Sequence, residues 1–330
     1  ILFNEYMDFE ITAKAVAQSA NRALGLVIAK CKLLGGVPYN VFSKLYDSIV
    51  WPVIGYGAAI WGHNNFSCIN AVQNRAMRYF LGVGKYTPNA AVIGEMAWRP
   101  SSVRQWSCIS NFWCRLGNMD VSRLNKRIAL WANRLAGTAC KNWFYSVKHK
   151  LSSLGLTDHI DIALPIPKLS FKKSVEESML NLFQIDWLHS IQNVSSTNGR
   201  GRNKLRTYRL FKNTFTVEPY CTMILSFCHR SAFSKFRCGV APIRLETGRY
   251  ENLPISERKC PFCNSVEDEC HVILDCNLYN DIRVKMLAKA IAICDTFENL
   301  PNTDKLVILF THPALIRLCA KTCFDILKRR

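Results

Sequence analysis

The sequence predicts a mainly α protein with two helical domains joined by a linker, the second containing a small cysteine-rich knuckle with short β elements. Three observations indicate this fold class. Apolar residues recur at helical spacing along most of the chain. Glycine and proline separate these periodic segments. The 330 residues, of which 49% are hydrophobic, suffice for two packed cores.

The first domain, residues 1–155, is predicted to be helical throughout. Gly35 and Gly36 end its first helix, and Pro52 is expected to kink the second. Thr87 and Pro88 form a good cap and first turn for a short fourth helix. The predicted helices cover residues 9–34, 38–60, 67–83, a short segment after Pro88, 101–118, 123–137 and 141–153.

Residues 156–216 are predicted to form a linker and a basic arm. The stretch GLTDHIDIALPIPKLSFKKS contains two prolines and little periodicity, and a helix is expected over 174–191. The polar stretch that follows, 196–214, contains glycine and many arginines. This composition is typical of a flexible connection.

The remaining residues, 217–330, are predicted to form a second, mostly helical C-terminal domain. Its β-leaning stretch, residues 241–259, leads into a knuckle over 258–276. Its predicted helices cover residues 219–236, 277–293, 303–310 and 314–328.

The chain carries a net charge of +19, and the excess lies entirely before the knuckle. Residues 1–150 hold 18 Lys/Arg against 6 Asp/Glu, residues 151–249 hold 14 against 7, and residues 250–330 hold 11 of each. A field this positive attracts polyanions, either nucleic acid or an anionic membrane surface.

No membrane-spanning segment is predicted, because the longest apolar run, residues 49–61, is shorter than the roughly 20 residues that a bilayer requires. The first ten residues are acidic and lack the apolar stretch of a secretory signal. Since the chain starts with Ile, we expect a fragment of a longer protein. Fifteen cysteines, mostly scattered, then indicate reduced thiols in an intracellular protein.

Four cysteines and a histidine lie within the nineteen residues RKCPFCNSVEDECHVILDC, 258–276. Cys260 and Cys263 form a C-x2-C pair, His271 follows after seven intervening residues, and Cys276 follows after four more. Three thiolates and one imidazole complete a tetrahedral site with no open position for water. Sulfur ligands in this number favour zinc. We therefore predict one structural zinc ion at Cys260, Cys263, His271 and Cys276, which makes residues 217–330 a C-terminal zinc-binding domain.

Other interpretations of these thiols are weaker. Disulfides are disfavoured in a reducing compartment, and the acidic loop between the cysteines is expected to be too polar for a buried core. Cys270 in place of His271 stays open as the fourth ligand, although His271 would then lack a role. A site whose four ligands all come from the protein does not catalyse. It stabilises a loop that has no hydrophobic core of its own.

Two groups of basic residues are candidates for contacts with nucleic-acid phosphates. Arg75, Arg78 and Lys85 lie on or just after the third predicted helix, away from its apolar face. The basic arm has Tyr208 and Phe211 interleaved, and these aromatic rings could stack on bases. A solvated helix face and a basic loop without a partner stay open as alternatives. The basic residues of the arm are Arg200, Arg202, Lys204, Arg206 and Arg209.

Two parts of the chain resemble the reverse transcriptases of non-LTR, LINE-like retrotransposons. KLYDSIVWPVIGYGAAIWG followed by INAVQNRAMRYFLGVGKYTPNAA is similar to the region downstream of the polymerase core. FRCGVAPIRLETGRY, ERKCPFC and DECHVILDCNLYNDIR are similar to the zinc-knuckle tail near the end of the same open reading frames. The similarity runs in the same order from about residue 5 to residue 330.

The resemblance implies that residues 1–155 form a thumb-like domain that grips the template–primer duplex. The CCHC tail would position nucleic acid during target-primed reverse transcription. The implied partners are RNA, DNA and an upstream polymerase domain in the parent polyprotein, and the implied location is the nucleus.

The resemblance also predicts what this chain lacks. Polymerases of the family hold two metal ions with the paired aspartates of a Tyr/Phe-Ala-Asp-Asp turn. The sequence contains no such turn and no two adjacent aspartates, so we expect no polymerase activity from this chain alone. The alternative function is a zinc-stabilised protein-interaction scaffold, or a host-retained remnant, with no nucleic-acid role.

Overall fold

The computed structural model describes residues 1–2, 8–137, 141–192 and 204–330. Helices dominate this part of the chain, which confirms the mainly α class. Within residues 8–153, five of the predicted helices are found within two residues of their expected limits, as α1, α5, α7, α8 and α9. The helices here are α1 (Glu10–Leu33), α2 (Tyr39–Leu45), α3 (Trp51–Gly55), α4 (Ala58–Trp61), α5 (Ser67–Leu81), α6 (Asn89–Met96), α7 (Ser101–Gly117), α8 (Leu124–Leu135) and α9 (Trp143–Ser153).

The second predicted helix, 38–60, is divided into α2, α3 and α4. Residues Tyr46–Val50 form a π-helical turn just before Pro52, which lies in the first turn of α3. Pro52 has no N–H to donate, so a regular α-helical hydrogen bond is missing there. Gly57 adds a second break, because its φ of 63° is left-handed, a conformation that only glycine adopts readily.

The later helices differ more from the prediction. Helix α10 begins at Lys168, six residues before the expected start, because Pro167 accepts a hydrogen bond from the N–H of Phe171 and opens the helix. The remaining helices are α10 (Lys168–Gln192), α11 (Tyr208–Phe211), α12 (Pro219–Thr222), α13 (Phe227–Arg237), α14 (Arg244–Thr247), α15 (Asn280–Ile293), α16 (Asn302–Thr311) and α17 (Pro313–Arg329).

The short β elements expected before the knuckle are not found. The stretch 241–259 forms the helical turn α14 and a 3-10 turn at Ile255–Glu257. Among the described residues near the knuckle, β pairing is limited to one antiparallel bridge between Lys259 and Val266.

The chain divides into two compact units, each assembled from three stretches. Their limits differ from residues 155 and 216, and the predicted domain boundaries stay a prediction. Unit 1 comprises Ile1–Val27, Lys44–Gln73 and Arg99–Asp186, and unit 2 comprises Ile28–Ser43, Asn74–Trp98 and Trp187–Arg330.

The core of unit 1 forms around Trp113 of α7, which is fully buried. Its indole N–H donates to the carbonyl of His159 at 2.9 Å. Its ring lies 5.8 Å, between centroids, from Trp143 and from Phe144 of α9. These large aromatic contacts fix α7 and α9 relative to each other.

A buried cation closes the end of α7. The Lys126 side chain is 1% exposed. Its ammonium donates to the carbonyls of Leu116 and Gly117, both at 2.8 Å, and to that of Ile162 at 2.5 Å. Positive charge at a helix C-terminus is favourable, since the last carbonyls there have no partner within the helix.

Unit 2 contains a buried ion-pair network. Arg237 and Glu95 are both 0% exposed and pair at 2.8 Å. Arg237 also pairs with Glu218 at 2.5 Å and donates to the carbonyl of Phe310 at 2.7 Å. Lys212 completes the network by pairing with Glu218 at 2.5 Å. Because every charge is matched, the network tolerates burial, whereas loss of one member would leave an uncompensated charge.

Candidate metal centre and charged surface

The structure brings Cys260, Cys263, His271 and Cys276 together, with their ligand atoms all within 4.8 Å of one another. The Sγ atom of Cys276 lies 3.8 Å from that of Cys260 and 3.7 Å from that of Cys263. A tetrahedron of thiolates about 2.3 Å from a zinc ion has edges of about 3.8 Å. The four residues can therefore hold one metal ion.

A tight turn places the first two cysteines. The N–H of Asn264 donates to the carbonyl of Cys260 at 2.9 Å, and the N–H of Cys260 donates to the carbonyl of Ser265 at 2.8 Å. Asn264 has a φ of 54°, in the left-handed region that asparagine tolerates better than most residues. The chain thus reverses immediately after Cys263, so that both thiols lie on one side of the turn.

A π-helical turn places the other two ligands. It spans His271–Asp275, and the N–H of Cys276 donates to the carbonyl of His271 at 2.7 Å. Asp268 starts the turn by accepting the N–H of His271 at 2.7 Å. The H-x4-C spacing thereby brings the His271 imidazole and the Cys276 thiol to the same side of the turn.

The imidazole of His271 is oriented by its neighbours. Its Nδ1 lies 3.2 Å from the hydroxyl of Ser265. Its Nε2 is buried and has no hydrogen-bond partner among the described residues. A buried nitrogen without a partner is costly, and a metal ligand would satisfy it. Nε2 is therefore the ring nitrogen available to a metal ion, and Ser265 holds the opposite nitrogen, an arrangement common among metal-bound histidines.

The thiols differ in how readily they lose their protons. The backbone N–H of Asn277 lowers the pKa of Cys263, whereas burial raises the pKa of Cys276 to about 12. A bound cation would supply the field that deprotonates both. Arg283, 3% exposed, adds positive charge close to the sulfurs of Cys276 and Cys263. This charge would offset the net negative charge of three thiolates around a divalent ion.

Cys270 lies apart from this cluster. Its Sγ faces the carbonyl of Asn302 at 4.0 Å. Burial raises the pKa of Cys270 to about 12, with nearby carboxylates adding to the effect. The structure therefore groups His271, rather than Cys270, with the three cysteines.

Both glutamates of the acidic loop between the cysteines are buried, which corrects, for these two side chains, the expectation that the loop is too polar for burial. Glu267 is 1% exposed and accepts both forks of Arg330, at 2.6 and 2.7 Å. Glu267 also accepts the N–H of Arg244 at 2.5 Å. Glu269 is 0% exposed and forms a two-pronged ion pair with Arg206. Sequence reasoning missed these arginine partners, because they lie up to 63 residues away.

The basic arm is only partly available for a ligand. Lys204 pairs with Glu246 at 2.8 Å, and Arg206 pairs with Glu269, so both charges are compensated within the protein. Arg209 is exposed. Arg200 and Arg202 lie outside the described residues.

The three predicted phosphate contacts near α5 differ in their surroundings. Arg75 is exposed on α5, and Lys85 is exposed with its ammonium 4.9 Å from the ring centroid of Tyr86. Arg78 instead holds the loop after α5, donating to the carbonyl of Thr87 at 2.9 Å and to Asn89 at 2.5 Å. Partial burial lowers the pKa of Arg78. Arg78 therefore has a structural task in holding this loop.

Comparisons with known protein families, curated proteins and solved structures found no match for this chain. No single helix among the described residues has both the length and the apolarity to cross a membrane. Helices α16 and α17 pass that test only as a pair, bent by 103°.

Proposed function

We propose that this chain is a nucleic-acid-binding part of a LINE-like retroelement reverse transcriptase, stapled by one structural zinc ion. The observation that carries the proposal is the separation of charge from metal site. Residues 1–150 hold a net charge of +12, whereas residues 250–330, which contain the metal cluster, are neutral. The cationic body binds phosphates, and the stapled region orients it.

Zinc is the metal that the ligand set favours. Three thiolates and one imidazole at tetrahedral spacing suit zinc, and four protein ligands leave no position for a reactive water. The proposed role of the ion is therefore structural.

Metal analysis of the purified chain tests this role. We expect about one zinc per chain, falling to near zero in Cys260→Ser, because loss of one thiolate opens the site. Cys270→Ser is the matched control and should keep its zinc. Full zinc content in Cys260→Ser would contradict the assignment.

A salt titration of nucleic-acid binding tests the function itself. Affinity for single-stranded RNA or DNA should fall steeply with salt, with a slope of roughly 0.7 log units per phosphate neutralised. Replacement of Arg75, Lys85 and Arg209 by Gln should flatten the slope. The matched control replaces three exposed lysines of the neutral region, Lys285, Lys289 and Lys321, by Gln and so removes the same number of charges. Absence of salt-dependent binding in the unaltered chain would refute the proposal.

The arm variant is designed around Glu269. Arg206 must be retained, since its loss would leave a fully buried carboxylate without its partner. The suitable variant therefore replaces Arg200, Arg202 and Arg209, and unchanged affinity would remove the arm from the binding surface.

A second candidate function is a protein-interaction scaffold. It is favoured by the internal pairing of Lys204 and Arg206, which removes two charges from the proposed arm. A flat salt response would support this alternative.

A further inference from the structure

Unit 1 contains an open cleft whose two halves differ in chemistry. The apolar half has a volume of about 410 Å³, and its walls include Phe112, Trp143, Phe144 and Ile128. This size and lining are typical of small-ligand sites. None of the proposed phosphate contacts lies here.

The cationic half has a volume of about 760 Å³ and is lined by Arg115, Arg123 and Lys168. Asp120 is the acidic residue of this lining, and hydrogen bonds from Ser122 lower its pKa, so it is ionised. Three cations against one carboxylate leave this half positively charged.

The two halves adjoin, because Phe112, Arg115 and Met119 line both. Arg115 is exposed and stands at the junction. A ligand that fills the cleft therefore meets an apolar aromatic wall on one side and positive charge on the other.

The apolar wall is rigid. The indole N–H of Trp143 donates to the carbonyl of Ala59 at 3.1 Å. The Trp143 ring meets Phe112 edge-on at 5.7 Å and Phe144 edge-on at 5.0 Å, between centroids. A wall held in this way needs no rearrangement to receive a planar ligand, which lowers the cost of binding.

The apolar surface continues from the cleft along α8. Leu124, Ile128 and Trp131, at helical spacing, are 66%, 52% and 64% exposed. Arg127 and Arg134 lie on the same helix and are also exposed. An exposed tryptophan beside arginines is a suitable stacking platform for a nucleic-acid base.

We propose that this cleft binds one unstacked nucleotide of a single strand, with the base against Phe112 and Phe144 and the phosphate at Arg115, Arg123 and Lys168. The strand would then continue over Trp131. The inference rests on the proposed nucleic-acid function and deepens it, since it requires a single strand. Bases of a duplex are stacked and paired, and they cannot enter such a pocket.

Binding of three probes by fluorescence anisotropy tests the inference: an oligothymidylate, a duplex of the same length, and a base-free deoxyribose-phosphate strand. The combined variant Arg115→Gln, Arg123→Gln and Lys168→Gln should lose more than tenfold in affinity for the oligothymidylate, with a salt slope smaller by about 2. The matched control replaces Arg22, Lys44 and Lys173 by Gln, which removes the same number of charges outside the cleft. Its affinity for the oligothymidylate should fall less than threefold.

Trp131 is exposed, so its replacement by Ala should leave folding intact. The affinity of Trp131→Ala for the oligothymidylate should fall about tenfold, whereas its affinity for the base-free strand should not change. Equal losses in the cleft and control variants, or equal affinity of the unaltered chain for the base-bearing and base-free strands, would overturn the cleft while leaving the proposed function standing. Failure of the unaltered chain to bind any of the three probes would overturn both.

Discussion

At the scale of single residues, the orientation of His271 depends on one neighbour. The Ser265 hydroxyl lies 3.2 Å from Nδ1, which leaves Nε2 as the nitrogen without a hydrogen-bond partner among the described residues. Outer-shell partners of this kind typically contribute tenfold or more to metal affinity. We predict that Ser265→Ala weakens zinc binding about tenfold, measured by competition with a chromophoric chelator. Cys270→Ser serves as control, and a Ser265→Ala chain with unaltered affinity would show that the hydrogen bond is unimportant.

His63 gives unit 1 a dependence on pH. Burial beside Phe9 lowers the pKa of His63 below its ordinary value. The unfolded chain therefore takes up this proton at a higher pH than the folded chain does. The resulting loss of stability is absent above the unfolded pKa of about 6.5, grows as the pH falls from there, and levels off below the folded pKa.

We predict that the free energy of unfolding of His63→Gln falls less than that of the unaltered chain between about pH 7.5 and about pH 5.5. Urea unfolding at both pH values measures the difference. His149→Gln, an exposed histidine of the same unit, should retain the full acid response. Identical acid responses in the His63→Gln and unaltered chains would contradict the argument.

At the scale of elements, the end of α7 depends on a side chain from α8. Lys126→Met keeps the length of the side chain but leaves the carbonyls of Leu116, Gly117 and Ile162 without their donor. The expected loss of unfolding free energy is about 2–3 kcal/mol, measured by urea denaturation. Arg127→Met, on the exposed side of α8, should change the unfolding free energy by less than about 0.5 kcal/mol. Comparable effects from both variants would argue against the buried cap.

Sequence periodicity predicted the long elements well, because a continuous apolar face specifies a helix without help from distant residues. Helices α1, α5 and α7 illustrate this. It failed over 241–259, where local β-leaning composition was outweighed by packing. It also could not find the burial of Glu267 and Glu269, since their arginine partners are distant in sequence. The metal ligands were predictable because four residues at fixed spacing meet within one short loop.

At the scale of the whole molecule, metal binding and stability are linked. A metal that binds only the folded chain stabilises it by about 2.7 kcal/mol at a hundredfold excess over its dissociation constant. Removing the proposed zinc ion with a chelator should therefore lower the melting temperature and increase amide exchange over residues 258–276. Cys263→Ser should be insensitive to the chelator, whereas Cys294→Ser should behave like the unaltered chain. A melting temperature unaffected by chelation would contradict the proposal that the metal ion stabilises the fold.

The wide turn at His271–Asp275 has a consequence for how such centres vary. Its backbone hydrogen bond joins residues five apart in the sequence, one more than in an ordinary α-helical turn. A version lacking one residue between His271 and Cys276 could close an α-helical turn and still present imidazole and sulfur on the same side. An added residue has no comparably regular turn to adopt. Length variation in this segment should therefore run toward shortening, and a search pattern for similar centres should accept a gap of three as well as four.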